Sequence, residues 1–534
     1  MPSESLTVPQ LLREQARSRA DHPLLICDSE RISYREADRR SAQLARGLIA
    51  LGAGKGTHVG LLYPNGAAFV VGMLAAARIG AIVVPFSTLA SAREMHEQLV
   101  DSDVEVLLAA ATYRSQDYLR RLREILTDCD LASDDRLFSS AAPQLRHLAV
   151  DDESGVGGHA CDIERVYRLA DQVDEALLSA MEDDVDGSDV LTIIYTSGTT
   201  GAPKGAVHTH AALLGHQRNL NEIRGLAGED RLFCNSPFFW IGGFAFALLA
   251  TLAAGSTLLC SNAADAGEML DLLEAEKPTM ANGFVAGIAH VVRHPSFSTR
   301  DLSSIRRGNL YPIMAADARP ADPELRHNML GLTEAGSVVL ISEDETDQPE
   351  CRRGSFGKPA PGFETKVVDP DTRECVDVGE VGELCIRGAY LMQRYYKRSR
   401  EECFDAKGWF YTGDLVRTDH DGFFYFVGRR DSMIKTAGAN VSPAEVEKAI
   451  ARVTGGAVAH VIGLPDAERG QVVAAVIALE DGAVFNEEVT REQLRSELSS
   501  YKIPRRFAAI RTADIPLRPS GKVDLQRLKQ MFDA

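Results

Sequence analysis

Eleven residues, Tyr195 to Gly205 (YTSGTTGAPKG), concentrate the groups that phosphate chemistry needs. Gly198, Gly201 and Gly205 let a backbone turn tightly enough to aim N–H groups at oxygens. Thr196, Ser197, Thr199 and Thr200 add hydroxyl donors, and Lys204 adds a cation. The apolar run VLTII precedes the loop and a helix is expected from about Thr209, so strand, loop and helix together predict a phosphate cradle. It is not a Walker A loop, because GxxxxGK[ST] fits neither here nor at Ser520 to Val523. A flexible surface loop is the plain alternative. Hydroxyls crowded among glycines and a lysine, directly after a buried strand, argue against it.

The elements that must carry this loop are legible around it. From Val59 the runs VGLLYPNG, AAFVVGMLAAARIG, AIVVPFS and VEVLLAAA alternate strand with helix, which predicts an α/β fold with largely parallel, buried strands. The stretch from Ser115 to Asp189 loses that rhythm and is expected to be a polar connection with isolated helices. Phe244 to Cys260 (FAFALLATLAAGSTLLC) is too short and too broken, at Gly255, Ser256 and Thr257, to span a bilayer, and reads as a buried helix running into a strand. From Glu383 the texture turns β-rich (ELCIRG, GFFYFVG). A helix is expected near Ser442, where SPAEVE supplies a cap, a proline at the first helical position and an early glutamate. Two strands (AVAHVIGLP, QVVAAVIALE) and a helix capped by Thr490 complete a small α+β unit. The expected division is a large N-terminal domain, 1–430, of α/β layers with a β-rich part, and a small mobile C-terminal domain, 431–534.

Composition sets the outer bounds. With 58 basic against 76 acidic residues the formal charge is -18, a field that repels duplex nucleic acid and anionic membranes. Hydrophobic residues at 45% and charged residues at 25% exclude bulk disorder. Nine scattered cysteines without a CxxC pair fit reduced thiols, and the charged N-terminal segment has no signal or transit pattern, so a cytoplasmic home is expected.

The loop resembles the signature of the adenylate-forming superfamily, which includes acyl-CoA synthetases, nonribosomal peptide adenylation domains and luciferases. Six further blocks follow in the family's order: SPFFWIGG (236–243), GLTEAG (331–336), GELCIRG (382–388), GWFYTGDL (408–415), GRRDSMIKTAGANVSPAEVE (428–447) and PLRPSGKVD (516–524). Together they cover the chain from about Ser33 to Leu528. The resemblance implies an AMP-forming ligase that adenylates a carboxylic acid with ATP and then makes a thioester with CoA. It implies that residues 196–201 and Lys204 hold ATP phosphates, with Leu330, Gly331 and Thr333 also against the nucleotide. Glu334, with Thr196, is implied as the Mg2+ ligand, since magnesium takes few carboxylates and completes its shell with phosphate oxygens. Asp414 is implied as the ribose contact and Arg429 as a second ribose or phosphate contact, Lys522 as the adenylation lysine, Asp431 as the hinge, and Lys435 and Gly438 as part of the pantetheine channel.

Three departures qualify the pattern. Leu330 stands where an aromatic residue usually stacks on adenine. The segment Arg306 to Pro320 replaces a small-residue turn and keeps only Gly308. Arg394 replaces a glycine before Tyr396. For the acid, amino-acid activators hold the substrate ammonium with an aspartate just after the aromatic pair, and this chain has Trp240 and Ile241, then Gly242 and Gly243. A buried ammonium without a carboxylate is costly, so an apolar, uncharged fatty or aryl tail is expected against Trp240, Gly242, Gly243 and Gly308. Loading of a carrier-protein thiol, a degenerate nucleotide-binding homologue and a homodimer remain open alternatives.

Overall fold

Apolar on every side, the helix Ala67–Arg78 must be sandwiched between layers, and every residue of it except Ala68 is buried. The computed structural model describes residues 6–90, 92–131, 136–151, 162–196, 204–430, 434–436, 439–441, 443–466, 469–480, 482–498, 502–518 and 521–532. The chain forms two units, one of Met1–Glu364 with Arg387–Gly408 and one of Thr365–Ile386 with Trp409–Ala534.

In the first unit the buried helix shares one apolar cluster with two sheets: Val59, Leu61 and Leu191 on one side, Leu25, Leu232 and Leu258 on the other. Phe69 of the helix packs on Phe238 and Phe244, with ring centroids 5.4 and 6.3 Å away. The seven-stranded sheet runs in the order Arg394–Tyr395, Lys204–Thr209, Val190–Thr196, Ile82–Pro85, His58–Leu62, Val106–Ala110, His147–Asp151. Its last five strands are parallel and its first two antiparallel. His58–Leu62 is buried at all five positions, as a parallel strand covered on both faces must be. The six-stranded sheet has the order Arg307–Gly308, Met280–Asn282, Arg231–Cys234, Thr257–Cys260, Pro23–Cys27, Glu30–Ser33. The α/β alternation expected from Val59 onward is therefore present.

The second unit contains the strands Gly382–Gly388, Phe410–Thr418 and Phe424–Arg429, paired antiparallel, and a sheet centred on Gly470–Leu479. Helix Pro443–Val453 begins where the SPAEVE pattern placed it.

Three readings are corrected. Residues 115–189 are not only a polar connection: His147–Asp151 is a strand parallel to Val106–Ala110. With just Leu148, Ala149 and Val150 apolar between charged neighbours, it carries no visible alternation. The last long helix runs Glu487–Glu497 and is capped by Asn486, whose side chain accepts from the Val489 N–H at 3.1 Å; Thr490 is buried inside it. Glu487 and Glu488 in the first turn favour that earlier start through the helix dipole. Phe244 to Cys260 is helix then strand as read, but the helical part begins at Gly242 with wide π turns to Leu249, followed by Ala250–Ala254 and the strand Thr257–Cys260. No helix among the described residues is long and apolar enough to cross a membrane.

The π segment explains one glycine. A Cβ on Gly243 would lie 2.1 Å from the Pro237 carbonyl oxygen and 2.8 Å from that of Ser236, backbone atoms that cannot swing away. Gly243→Ala is expected to destabilise the protein by about 2 kcal/mol or more. Thermal unfolding checks this against Gly242→Ala, whose Cβ would meet only the Ser236 hydroxyl at 3.2 Å and should shift the midpoint less.

Candidate active site

The strands on either side of the glycine-rich run pair antiparallel. Thr196 and Lys204 face each other across the antiparallel strands Val190–Thr196 and Lys204–Thr209, followed by the pair Tyr195 and Gly205. This corrects the expected order of strand, loop and helix. Lys204–Thr209 is taken up between two strands because it has partners on both edges, and helix His210–Arg224 starts only after it, capped by Thr209 Oγ1 accepting from Ala212 N–H at 3.2 Å. A whole strand, Lys204–Thr209, thus stands between the glycine-rich run and the helix N-terminus in the chain. Ser197, Gly198, Thr199, Thr200 and Gly201 lie outside the described residues.

Beyond the hairpin, the short strand Arg394–Tyr395 extends the sheet, and the Tyr395 hydroxyl donates to Glu334 Oε1 at 2.6 Å. Lys204 Nζ lies 5.4 Å from the centre of the Tyr395 ring. A cation, a phenol and a carboxylate are thereby brought together. Glu334 sits in the turn Thr333–Ala335, which ends at Gly336 in the left-handed region (φ 68°). Two bonds tie the turn to the sheet edge: the His208 ring donates from Nε2 to the Thr333 carbonyl at 2.8 Å, and Met392 N–H donates to the Glu334 carbonyl at 2.8 Å. Leu330 and Gly331 belong to the strand Leu330–Leu332, paired antiparallel with Ser337–Ile341. Tyr395 was missed in the sequence. Its neighbour Tyr396, in the turn that follows the strand, donates instead to Asp103 at 2.8 Å.

Among the described residues, no three of the types His, Cys, Asp and Glu gather into a metal site. Glu334 is a lone carboxylate with one oxygen taken by Tyr395. That donor set suits a magnesium ion whose remaining ligands are water and phosphate oxygens.

The four candidate acyl-pocket residues fall in two places. Trp240 is half-buried and makes edge contacts with Phe239 and Phe284, centroids 5.6 and 5.1 Å away, while Gly242 and Gly243 open the π turns. Gly308, at φ 105°, passes so close to Ala281 that a Cβ would sit 2.1 Å from its carbonyl oxygen. It lines a cavity of about 50 Å³ with Phe246, Met314 and Ile341, which Trp240, Gly242 and Gly243 do not line.

In the second unit Asp414 and Arg429 are cross-strand partners, Arg429 donating to Asp414 Oδ1 at 2.8 Å. Asp414 is buried, and Gly413 before it, at φ 73°, donates its N–H to Glu383 Oε1 at 2.9 Å. Lys522 is exposed beside the bridge between Leu517 and Val523, its carbonyl accepting from Arg518 N–H at 2.7 Å. Asp431 and Gly438 lie outside the described residues, and the backbone of Lys435 lies in the strand Ile434–Thr436.

Comparison with known proteins agrees with the motif blocks. The family described as AMP-binding enzyme matches residues 12–396, and the AMP-binding enzyme C-terminal domain matches residues 445–522. The chain is 30% identical over 512 residues to a feruloyl-CoA synthase of Amycolatopsis sp, covering 94% of each protein. It is 28% identical over 550 residues to the mitochondrial medium-chain acyl-CoA ligase ACSF2 of Bos taurus, covering 99% of this chain and 88% of that one. Among solved structures, an anthranilate CoA ligase, AuaEII, in complex with anthranoyl-AMP matches with a TM-score of 0.80 at 26% identity, covering 99% of this chain and 97% of that one. The resemblance to adenylate-forming ligases and the fold class of a large N-terminal and a small C-terminal domain are thus confirmed.

Around the turn the histidines are held neutral. Burial pushes His208, His210 and His216 down to about 4. Their folded values lie below the unfolded value near 6.5, so the native state binds fewer protons between the two, and their contribution to stability is full above about pH 6.5 and lost as pH falls toward 4. Each ring contributes a slope of up to about 1.4 kcal/mol per pH unit. Urea unfolding at pH 7 and pH 5 is expected to show this loss, and His216→Gln should flatten the slope.

Proposed function

We propose that this chain, which belongs to the AMP-binding enzyme family, is an AMP-forming carboxylic acid:CoA ligase. It joins an acid with an apolar fatty or aryl tail to ATP as the acyl-adenylate, then passes the acyl group to the thiol of CoA and releases AMP. The observation that carries this reading is the meeting of Lys204, Tyr395 and Glu334, beside Thr333, at the end of the strand pair Val190–Thr196 and Lys204–Thr209.

In the first step the acid's carboxylate attacks the α-phosphorus, a bond to AMP forms, and pyrophosphate leaves with its charge. Negative charge grows on α-phosphate oxygens, and donors fixed before the reaction stabilise it most. Thr333 and the loop residues 196–201 supply hydroxyl and N–H donors, and Lys204 a cation. Magnesium, held by Glu334 with Thr196, would neutralise phosphate charge. Tyr395 fixes the direction of the Glu334 carboxylate through its hydrogen bond. Leu330 and Gly331 face the adenine, Leu330 by aliphatic contact in place of stacking. Asp414 has the acceptor pair to grip two ribose hydroxyls, with Arg429 setting its orientation.

Lys522 brings its ammonium to the incoming carboxylate and the α-phosphate. We take Asp431 as the pivot that divides a functional N-terminal domain, 1–430, from a mobile domain, 431–534, which removes Lys522 after adenylation. Lys435 and Gly438 then line the path of the pantetheine arm, where the thiol attacks the acyl carbonyl and AMP leaves. CoA is favoured over a carrier protein because the similar proteins named above are CoA ligases.

Lys522→Ala is expected to lower pyrophosphate release from acid and ATP by about 100-fold or more, while thioester formation from synthetic acyl-adenylate and CoA stays near wild type. Equal loss in both half-reactions would refute the role of Lys522. Tyr395→Phe keeps the ring beside Lys204 and removes the bond to Glu334. It should raise the magnesium concentration for half-maximal adenylation by about tenfold. An unchanged magnesium titration would show that Tyr395 does not position the carboxylate.

A further inference from the structure

The strand that carries Asp414 is out of step with its neighbour. Along the antiparallel pair Gly382–Gly388 and Phe410–Thr418, Glu383 stands opposite Leu415 and Cys385 opposite Tyr411. Leu384, between them on the first strand, therefore faces Thr412, Gly413 and Asp414 on the second. The strand bulges at Asp414. Bulges bend a strand and re-aim its side chains, and the backbone they take out of the ladder must find other partners.

Two side chains supply them. Gly413, at φ 73°, donates its N–H to Glu383 Oε1 at 2.9 Å. The Thr412 hydroxyl donates to the Leu384 carbonyl at 2.8 Å and accepts from the Asp414 N–H at 3.0 Å. Thr412 thus ties the bulge both to the neighbouring strand and to the residue that the bulge aims. Asp414 in turn accepts from Arg429 at 2.8 Å, and a Cβ on Gly413 would come within 3.3 Å of that same guanidinium.

Glu383 is a costly acceptor for one backbone N–H. It is 3% exposed, and a carboxylate taken out of water is unfavourable unless cations and donors surround it. Arg373 meets its Oε2 at 3.2 Å and Arg430 at 3.5 Å, while Oε1 serves Gly413. Arg430 also reaches Asp371 at 3.4 Å. A neutral acceptor would satisfy the Gly413 N–H without burying a charge. The charge adds strength and direction, because a charge-assisted bond is shorter and stronger than a neutral one and two guanidiniums hold the carboxylate in place.

We propose that Glu383 and Thr412 are positioning residues, which hold the bulge so that Asp414 presents its carboxylate to the two ribose hydroxyls of the nucleotide. This deepens, and rests on, the reading of Asp414 as the ribose contact of an acid:CoA ligase. Neither residue need touch the nucleotide, since each acts through the backbone of Gly413 or Asp414. A relaxed bulge moves the acceptor pair away from both hydroxyls, while the contacts assigned to adenine and phosphates belong to other elements. Loss of either residue should therefore weaken a nucleotide that has both hydroxyls and spare one that lacks a hydroxyl.

The test titrates the full chain with AMP, 2′-deoxy-AMP and 3′-deoxy-AMP by calorimetry, which needs no knowledge of the acid. Wild type should bind AMP at least about tenfold more tightly than either deoxynucleotide, the size expected for a lost bond to a charged group. Glu383→Gln and Thr412→Val should each cut that ratio to about threefold or less by weakening AMP, with the deoxynucleotides changed by less than about threefold. Arg373→Met serves as the control for stability: it removes a cation from Glu383 but no bond to the bulge, so it should lower the thermal midpoint and keep the ratio. Thr412→Val, close in shape, decides alone where Glu383→Gln does not fold. A wild type that binds all three nucleotides alike, a ratio that survives in either variant, or an equal loss of the ratio in Arg373→Met would each overturn the inference and leave the ligase reading standing. Intact discrimination for AMP with no pyrophosphate release from ATP and any acid would overturn the ligase reading instead.

Discussion

The turn that carries Thr333 and Glu334 is held by its carbonyls, and the candidate site depends on that hold. One carbonyl accepts from the His208 ring and the next from the Met392 backbone. His208 belongs to the central strand of an antiparallel edge, and Met392 immediately precedes the short strand that ends at Tyr395. The position of the Glu334 carboxylate is therefore set by the same ladder that fixes Lys204 and Thr196 opposite each other. The turn can be this tight because Gly336 takes the left-handed conformation that closes it, in a place where a Cβ would meet Leu213 at 2.9 Å. His208 can donate to a carbonyl while its other nitrogen stays without a partner only if the ring is neutral, and burial ensures that it is.

The sequence revealed those parts whose signal lies in a continuous run. The alternation from Val59 to the strand ending at Ala110, the helix after Ser442 and the paired strands near residues 458–479 each carry a period or a cap that local chemistry enforces. Strand His147–Asp151 escaped because its partner, Val106–Ala110, supplies the order that its own five residues do not show. The hairpin at Thr196 and Lys204 was read as strand, loop and helix because pairing on both edges of Lys204–Thr209 is tertiary information: Arg394–Tyr395, some 190 residues later, completes it.

The same distinction separates the site residues found from those missed. Lys204, Glu334 and Asp414 stand inside motif blocks, Lys204 drawn out by the chemistry of its loop and Glu334 and Asp414 by the resemblance of their blocks to the family. Tyr395 acts through a contact across 61 residues.

Two lysines show how placement suits a charge to its task. Lys204 enters the backbone ladder at the end of a hairpin strand, so its stem starts from a fixed point and its ammonium rests over the Tyr395 ring. That placement fits the phosphate contact proposed for it, since little side-chain entropy remains to be lost when a ligand arrives. Lys522, beside the bridge between Leu517 and Val523, has an exposed side chain. In the role proposed for it, in the first half-reaction only, its ammonium must be able to leave the phosphate, and an exposed position allows it to recover its hydration when it does. A fixed, half-buried lysine in that role would hold the acyl-adenylate as firmly as it held the transition state, and binding both equally would give no acceleration.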